Sequence, residues 1–302
     1  MMGFLNYIEI KTKITSVLTF FLTIGFLLYQ NGRINWVNTL LFFFGMLLFD
    51  LTTTAINNYI DSKDNEQILP FSRKKALWII YILFIGATIL GLMLVIRTDL
   101  VVLAVGGICF LCGVFYTYGP VPISRMPLGE IVSGFFYGLV IPFLILYINM
   151  PQGTYLEYSL GLQTITVSMH LIPILKLMLF AVTPFAVTAN IMLANNICDL
   201  DKDILVKRHT LPYYIGKKAV PLFSLLYYLT YASTILMVVL KIYSPVMLFT
   251  LLTIIPVQKN INIFRKKQEK STTFNISIMN FMLILITNTI VLYLSVLIQG
   301  LG

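Results

Sequence analysis

Charge is scarce in this chain. Of 302 residues only 11% are Asp, Glu, Lys or Arg, less than half the share usual in a soluble domain. That deficit, with 58% hydrophobic residues, excludes both a soluble enzyme and a disordered chain. Cysteine is limited to Cys109, Cys112 and Cys198, too few for a disulfide-stapled secreted domain. Cys109 and Cys112 form a CxxC inside the apolar run VGGICFLCGVF with no histidine nearby. They read as small apolar side chains rather than a zinc or redox site. His170 and His209 are too few and too far apart to suggest a metal site. Twelve prolines and 18 glycines exclude a collagen-like or low-complexity chain. No small-residue cleavage site precedes the first apolar run, so no separable signal peptide is expected.

Long apolar runs are what the chain has in abundance. A helix needs ~20 apolar residues to cross a ~30 Å hydrocarbon core. The runs predict nine spans, at 14–30, 36–58, 76–96, 100–118, 129–148, 171–196, 219–240, 244–263 and 275–298. Pro256 and Lys259 make the eighth the weakest. The expected fold is therefore all-α, a polytopic membrane protein forming one transmembrane domain over 1–302. The net charge of +9 fits topology better than nucleic acid, because 17 of the 21 Lys and Arg fall on one side of the loop alternation. Arg33, Arg97 and Lys241 lie opposite, and Lys176 lies within the sixth span. Cytoplasmic loops collect Lys and Arg, so the N-terminus is expected in the cytoplasm and the C-terminus outside.

The acids are concentrated. NNYIDSKDNE holds Asp61, Asp64 and Glu66; NNICDLDKD holds Asp199, Asp201 and Asp203; Asp50 lies upstream of the first. Both stretches begin at the cytoplasmic end of an even-numbered span. Laying Asn57 on Asn195 pairs Asn58 with Asn196, Asp61 with Asp199, and Asn65 with Asp203. The shared N-N-x-x-D-x-x-x-[N/D], four spans apart, suggests pseudo-repeat halves at roughly 1–150 and 151–302. Residues four apart share a helix face, so Asn57 stacks with Asp61, and Asn195 with Asp199 and Asp203. Crowded carboxylates repel unless a cation sits between them. Few hard oxygen ligands at a partly hydrated site suit Mg²⁺ held jointly with substrate phosphates. A third ligand in the first motif comes from Asp64 by charge or Asn65 by register, and charge favours Asp64.

Basic residues follow each motif. Arg73, and more closely Lys207 and Arg208, are candidates for diphosphate oxygens. Between spans four and five, YTYGPVPISRMPLGE carries Gly119, Pro120, Pro122 and Pro127, which break the helix into a shaped loop. Tyr116 and Tyr118 border it as interfacial tyrosines or site residues. Glu130 opens the fifth span, as a charge on the helix N-terminus or as part of the site.

These motifs resemble the UbiA superfamily of intramembrane aromatic prenyltransferases, and the resemblance covers nearly the whole chain. NNYIDSKDNE, GPVPISRMPLGE and NNICDLDKDILVKRHTLPYYIG look most like the 1,4-dihydroxy-2-naphthoate prenyltransferases of menaquinone synthesis. Asn195, Asn196, Asp199, Asp203, Lys207, Arg208, Thr210, Leu211 and Gly216 carry that likeness. The first motif departs from the family's usual N-D-x-x-D-x-x-x-D, with Asn58 and Asn65 replacing two acids. The resemblance implies nine helices and Mg²⁺ held by Asn57, Asp61, Asp64, Asn195, Asp199 and Asp203. Lys207, Arg208 and Arg73 would face a polyprenyl diphosphate. Asn58, Asn196, Tyr116, Tyr118, Arg125 and Glu130 are the expected substrate contacts. Asp61, Asp199 and Asp203 would support catalysis, in which the donor ionises to an allylic cation. The naphthoate ring captures that cation with loss of CO₂, giving demethylmenaquinone in its reduced, hydroquinone form. The implied setting is the plasma membrane, multi-pass, with the site facing the cytoplasm and no nucleic-acid partner. Two rival readings are a family member with another acceptor, such as 4-hydroxybenzoate or haem, and a secondary transporter, whose acids would lie mid-span.

Overall fold

The computed structural model describes residues 2–64, 69–118 and 122–301. A short helix α1 (Met2–Tyr7) and a 3-10 turn (Ile10–Lys13) lead into α2 (Ile14–Tyr29). Then follow α3 (Trp36–Asp64), α4 (Arg73–Arg97), α5 (Leu100–Phe115) and α6 (Gly129–Phe135). A π-helical segment (Phe136–Val140) joins α6 to α7 (Ile141–Asn149). Strands β1 (Leu156–Leu160) and β2 (Ile165–Met169) pair antiparallel, with Leu156 opposite Met169. The second half contains α8 (Leu171–Cys198), α9 (Leu200–Leu205), α10 (Leu211–Ile215), α11 (Ala219–Val239), α12 (Ile254–Lys266) and α13 (Asn275–Leu301).

Among the described residues, eight helices are long and apolar enough to cross a membrane. The expected fourth span forms α5, whose 16 residues rise only ~24 Å, short of the ~30 Å core. Nine is therefore not reached by length. The expected eighth span is a nine-residue 3-10 run (Pro245–Thr253) continuing into α12. Pro256 sits in the first turn of α12, where a missing N–H is tolerated, so the proline does not break the span. Large apolar side chains such as Trp36, Ile82, Ile96 and Leu252 point outward, as expected where lipid replaces water.

Helices on either side of the hairpin interlock through close backbone approach. The π-helical segment carries Gly138, and a Cβ there would lie 2.2 Å from the Phe185 backbone nitrogen on α8. Gly134 meets the same residue one turn earlier, which is the small-xxx-small packing of membrane helices. Pro142 offers no N–H to the turn before it, and Ile141 N–H reaches back to Phe136 O instead, widening the helix locally. At the other side α13 packs on α2, where Gly25 touches Tyr293, closing the bundle. Between α3, α4, α5 and the α6–α7 pair lies an apolar cavity of about 540 Å³.

Candidate active site

Both polar motifs sit at one end of the bundle. On α3, Asn57 Oδ1 accepts from Thr117 Oγ1, and Asn57 and Tyr116 line the mouth of the cavity. Asn58 faces elsewhere: its amide donates to Tyr7 O at 2.8 Å and Glu9 Oε1 at 3.2 Å, anchoring the N-terminal helix. Asp61 lies one turn past Asn57, half-buried. The side chain of Asp64, and all of Asn65, lie outside the described residues, so the choice between them stays a proposal.

The second motif straddles a break. Helix α8 ends at Cys198 and Asp199 leaves helical geometry, yet Asp199 N–H still reaches Asn195 O and Asp203 N–H reaches Asp199 O. The i to i+4 ladder therefore survives the break and keeps Asn195, Asp199 and Asp203 on one stripe. Past α9 the chain turns on Lys207, at φ 56°. Arg208 N–H bonds Asp203 O and Lys207 N–H bonds Ile204 O, a Schellman turn whose left-handed position usually holds glycine. This turn folds Arg208 back, with Nη1 3.8 Å from Asp203 Oδ1 and Nε donating to Ser124 O at 2.8 Å.

The 116–130 segment bridges the motifs. Thr117 touches Asn57, the Tyr116 hydroxyl lies 4.0 Å from the Met192 sulfur, and Asn196 Nδ2 donates to Glu130 Oε1 at 2.8 Å. Glu130 is only 4% exposed, so it belongs to the site's framework as well as to the start of α6. Arg125 takes His209 N–H on its carbonyl. Tyr118 is exposed. Arg73 is held by α3, with Nη1 donating to Ser62 Oγ at 3.0 Å, Nη2 to Tyr59 O at 3.1 Å, and its guanidinium over the Tyr59 ring.

One residue at the site was not expected. Lys270, between α12 and α13, places its ammonium against Asn195 Oδ1 and 2.6 Å from Asp199 Oδ2. It also lies over the Phe274 ring. In the sequence it was one loop charge among many, 71 residues from Asp199.

Several buried oxygens lack a donor. Asp203 Oδ2, Asn196 Oδ1 and Glu130 Oε2 have no hydrogen-bond partner, a state buried polar atoms avoid. Burial raises the Asp203 carboxyl above the usual carboxylate range, with Arg208 opposing that shift. Acceptor oxygens without donors suit a cation. Among the described residues no three of His, Cys, Asp and Glu converge closely enough to hold a metal alone. A metal here would complete its shell with amide and phosphate oxygens, the usual habit of Mg²⁺.

Fold and site together define an integral-membrane helical protein with amide–carboxylate motifs on two helices that also line an apolar cavity, through Asn57 and Met192. Residues 18–284 match the UbiA prenyltransferase family, and the chain belongs to it. Membership makes it a prenyltransferase and sets aside the transporter reading. No curated protein sequence matches. Among solved structures it is similar to a UbiA homologue from Aeropyrum pernix K1 (TM-score 0.66, 16% identity, 95% of this chain and 98% of that one). It also resembles digeranylgeranylglyceryl phosphate synthase (0.64, 18%, 96% and 98%). A third likeness is to an Archaeoglobus fulgidus UbiA homologue bound to GPP and Mg²⁺ (0.63, 13%, 97% and 99%). At these identities the likenesses carry the fold.

Proposed function

We propose that this protein transfers a polyprenyl group from polyprenyl diphosphate to an aromatic acceptor, with Mg²⁺ as cofactor. The observation that carries the reading is the Asn195–Asp199–Asp203 stripe, with donorless oxygens on and beside it, on the helix whose Met192 lines an apolar cavity together with Asn57 and Tyr116. The Archaeoglobus homologue bound to GPP and Mg²⁺ supports the donor class and the metal. Asn57, Asp61, Asn195, Asp199 and Asp203 would hold the metal, and Asp64 is the proposed third ligand of the first motif. Bound Mg²⁺ supplies positive charge to the departing diphosphate. Arg208 and Lys207 add donors beside it. The donor's C–O bond breaks with its electron pair leaving on pyrophosphate, and the ring carbon of the acceptor closes on the allylic carbon. The apolar cavity takes the isoprenoid and excludes water from the cation.

The acceptor is 1,4-dihydroxy-2-naphthoate, whose carboxylate leaves as CO₂, which places the enzyme in menaquinone biosynthesis. Support comes from the second-motif run through Thr210, Leu211 and Gly216. The chain forms one domain of two pseudo-repeat halves, in the plasma membrane, with nine crossings and the site facing the cytoplasm, as the loop charges indicate. Purified protein in nanodiscs with Mg²⁺ and a polyprenyl diphosphate should prenylate the dihydroxynaphthoate in preference to 4-hydroxybenzoate, homogentisate and a glycerol-phosphate acceptor. Preference for any of those others would overturn the acceptor assignment; no transfer to any acceptor would overturn the function.

A further inference from the structure

Deep in the bundle an ion pair lines an otherwise apolar wall. Lys13 Nζ lies 2.7 Å from Asp50 Oδ1, donates to Asp50 O at 3.0 Å, and touches Thr54 Oγ1. Ser16 Oγ donates to Asp50 Oδ2 at 2.7 Å, and the Tyr137 hydroxyl donates to Asp50 Oδ1 at 2.8 Å. Lys13 and Asp50 are 4% and 7% exposed. Four elements contribute: the turn before α2, the first turn of α2 itself, the middle of α3, and the π-helical segment. Asp50 lies seven residues, or ~10 Å of helix, below Asn57. Taking two charges out of water costs several kcal/mol per ion. Within membrane spans such residues are rare and usually mark a ligand or ion path.

The site already described leaves this cluster without a role, yet Ser16, Asp50 and Tyr137 line the same cavity that Asn57 and Tyr116 line at its mouth. Its bonding defines what it can accept. An ionised carboxylate offers about four lone-pair positions. Oδ1 has two donors, from Lys13 and Tyr137, whereas Oδ2 has one, from Ser16. The Tyr137 proton points at Asp50, so its oxygen offers only lone pairs to the cavity. Toward a ligand the cluster is therefore an acceptor. It fits a hydroxyl and rejects a carboxylate. Lys13 is paired with Asp50 at 2.7 Å, and Asp50 orients a hydroxyl proton as its acceptor.

We propose that Lys13, Asp50 and Tyr137 form the specificity site for a ring hydroxyl of the aromatic acceptor, with any carboxylate on that ring turned away from Asp50. The inference rests on the acceptor class proposed above. A hydroxyl donating to this acceptor keeps electron density in the ring, which favours attack on a cation.

The test is binding, not turnover. Full-length protein in detergent, without metal or donor, is titrated calorimetrically with 4-hydroxy-2-naphthoate, whose hydroxyl is not adjacent to the carboxylate, and with 2-naphthoate, which lacks the hydroxyl. A hydrogen bond to a charged group is worth ~1.5 kcal/mol or more, so wild type should prefer the hydroxylated ligand about tenfold. Asp50→Asn should cut that preference below about threefold, because it turns an acceptor into a donor and removes the charge. Tyr137→Phe, which deletes one oxygen, should reduce the preference and covers the case in which Asp50→Asn fails to fold. Ser16→Ala frees Oδ2 further and should retain it. No preference in wild type, an undiminished one in Asp50→Asn, or, where Asp50→Asn does not fold, an undiminished one in Tyr137→Phe, overturns the proposal. A protein that binds through Asp50 yet transfers no prenyl group would instead overturn the proposed function and leave the site standing.

Discussion

Replacing Lys270 by Met should make the second motif a better metal site when no diphosphate is bound. The Lys270 ammonium lies against Asn195 Oδ1 and 2.6 Å from Asp199 Oδ2, the oxygens proposed as metal ligands. A divalent ion entering there must displace it. The Lys270 side chain is 41% exposed and that of Asp199 20%, so the pair is screened, and such pairs are worth ~0.2–1 kcal/mol. The upper end corresponds to about a fivefold change in affinity. Mn²⁺ binding to purified protein, followed by electron paramagnetic resonance without donor, should therefore tighten up to about fivefold in Lys270→Met. Lys270→Arg keeps the charge and should stay near wild type. Asp199→Asn should weaken binding in either background. Unchanged or weaker Mn²⁺ binding in Lys270→Met would refute the idea that the ammonium stands in the metal's place.

Asp61→Ala and Asp199→Ala should each abolish turnover with the fold intact by circular dichroism; more than about a tenth of wild-type rate, a barrier change under ~1.4 kcal/mol, would remove that residue from the metal site. Gly138→Ala should destabilise by ~1–3 kcal/mol or more, since its Cβ would lie 2.2 Å from a backbone atom of α8; an unaltered thermal midpoint in detergent would contradict this close packing. Lys207→Gly should match or exceed wild-type stability by ~1 kcal/mol, because it relieves a left-handed residue. Lost activity at retained stability would then report the ammonium itself. Cysteines introduced at Gly153 and Lys267 should label from outside and inside respectively, and the reverse pattern would overturn the proposed orientation.

The spans were legible because their determinant is local and one-dimensional: enough consecutive apolar residues. Expected limits of 14–30, 129–148 and 219–240 meet helical segments at Ile14–Tyr29, Gly129–Asn149 and Ala219–Val239. The polar motifs were legible for a similar reason, since i to i+4 spacing is written in the chain. What escaped depends on contacts between distant residues. Lys13 lies 37 residues from Asp50, and Lys270 lies 75 residues from Asn195; nothing in either neighbourhood names its partner. The hairpin was different. Ile165, Val167 and Met169 alternate with Thr166 and Ser168, a period-two signal available in the sequence, but the segment was expected only as a connection between spans.

The repeat itself gains meaning from the partners of its asparagines. In each motif the first Asn faces the site: Asn57 lines the cavity mouth, and Asn195 shares Lys270 with Asp199. In each motif the second Asn gives its amide N–H to the protein: Asn58 to Tyr7 O and Glu9, Asn196 to Glu130. Adjacent helical residues point about 100° apart, so one cannot line a site its neighbour faces squarely. Asn58 and Asn196 thus tie down, respectively, the N-terminal helix and the start of α6. Asn196 keeps a buried, unpartnered Oδ1. The two motifs therefore match in sequence pattern but differ in what they hold: the first ties α3 to the N-terminal helix, and the second ties α8 to the start of α6.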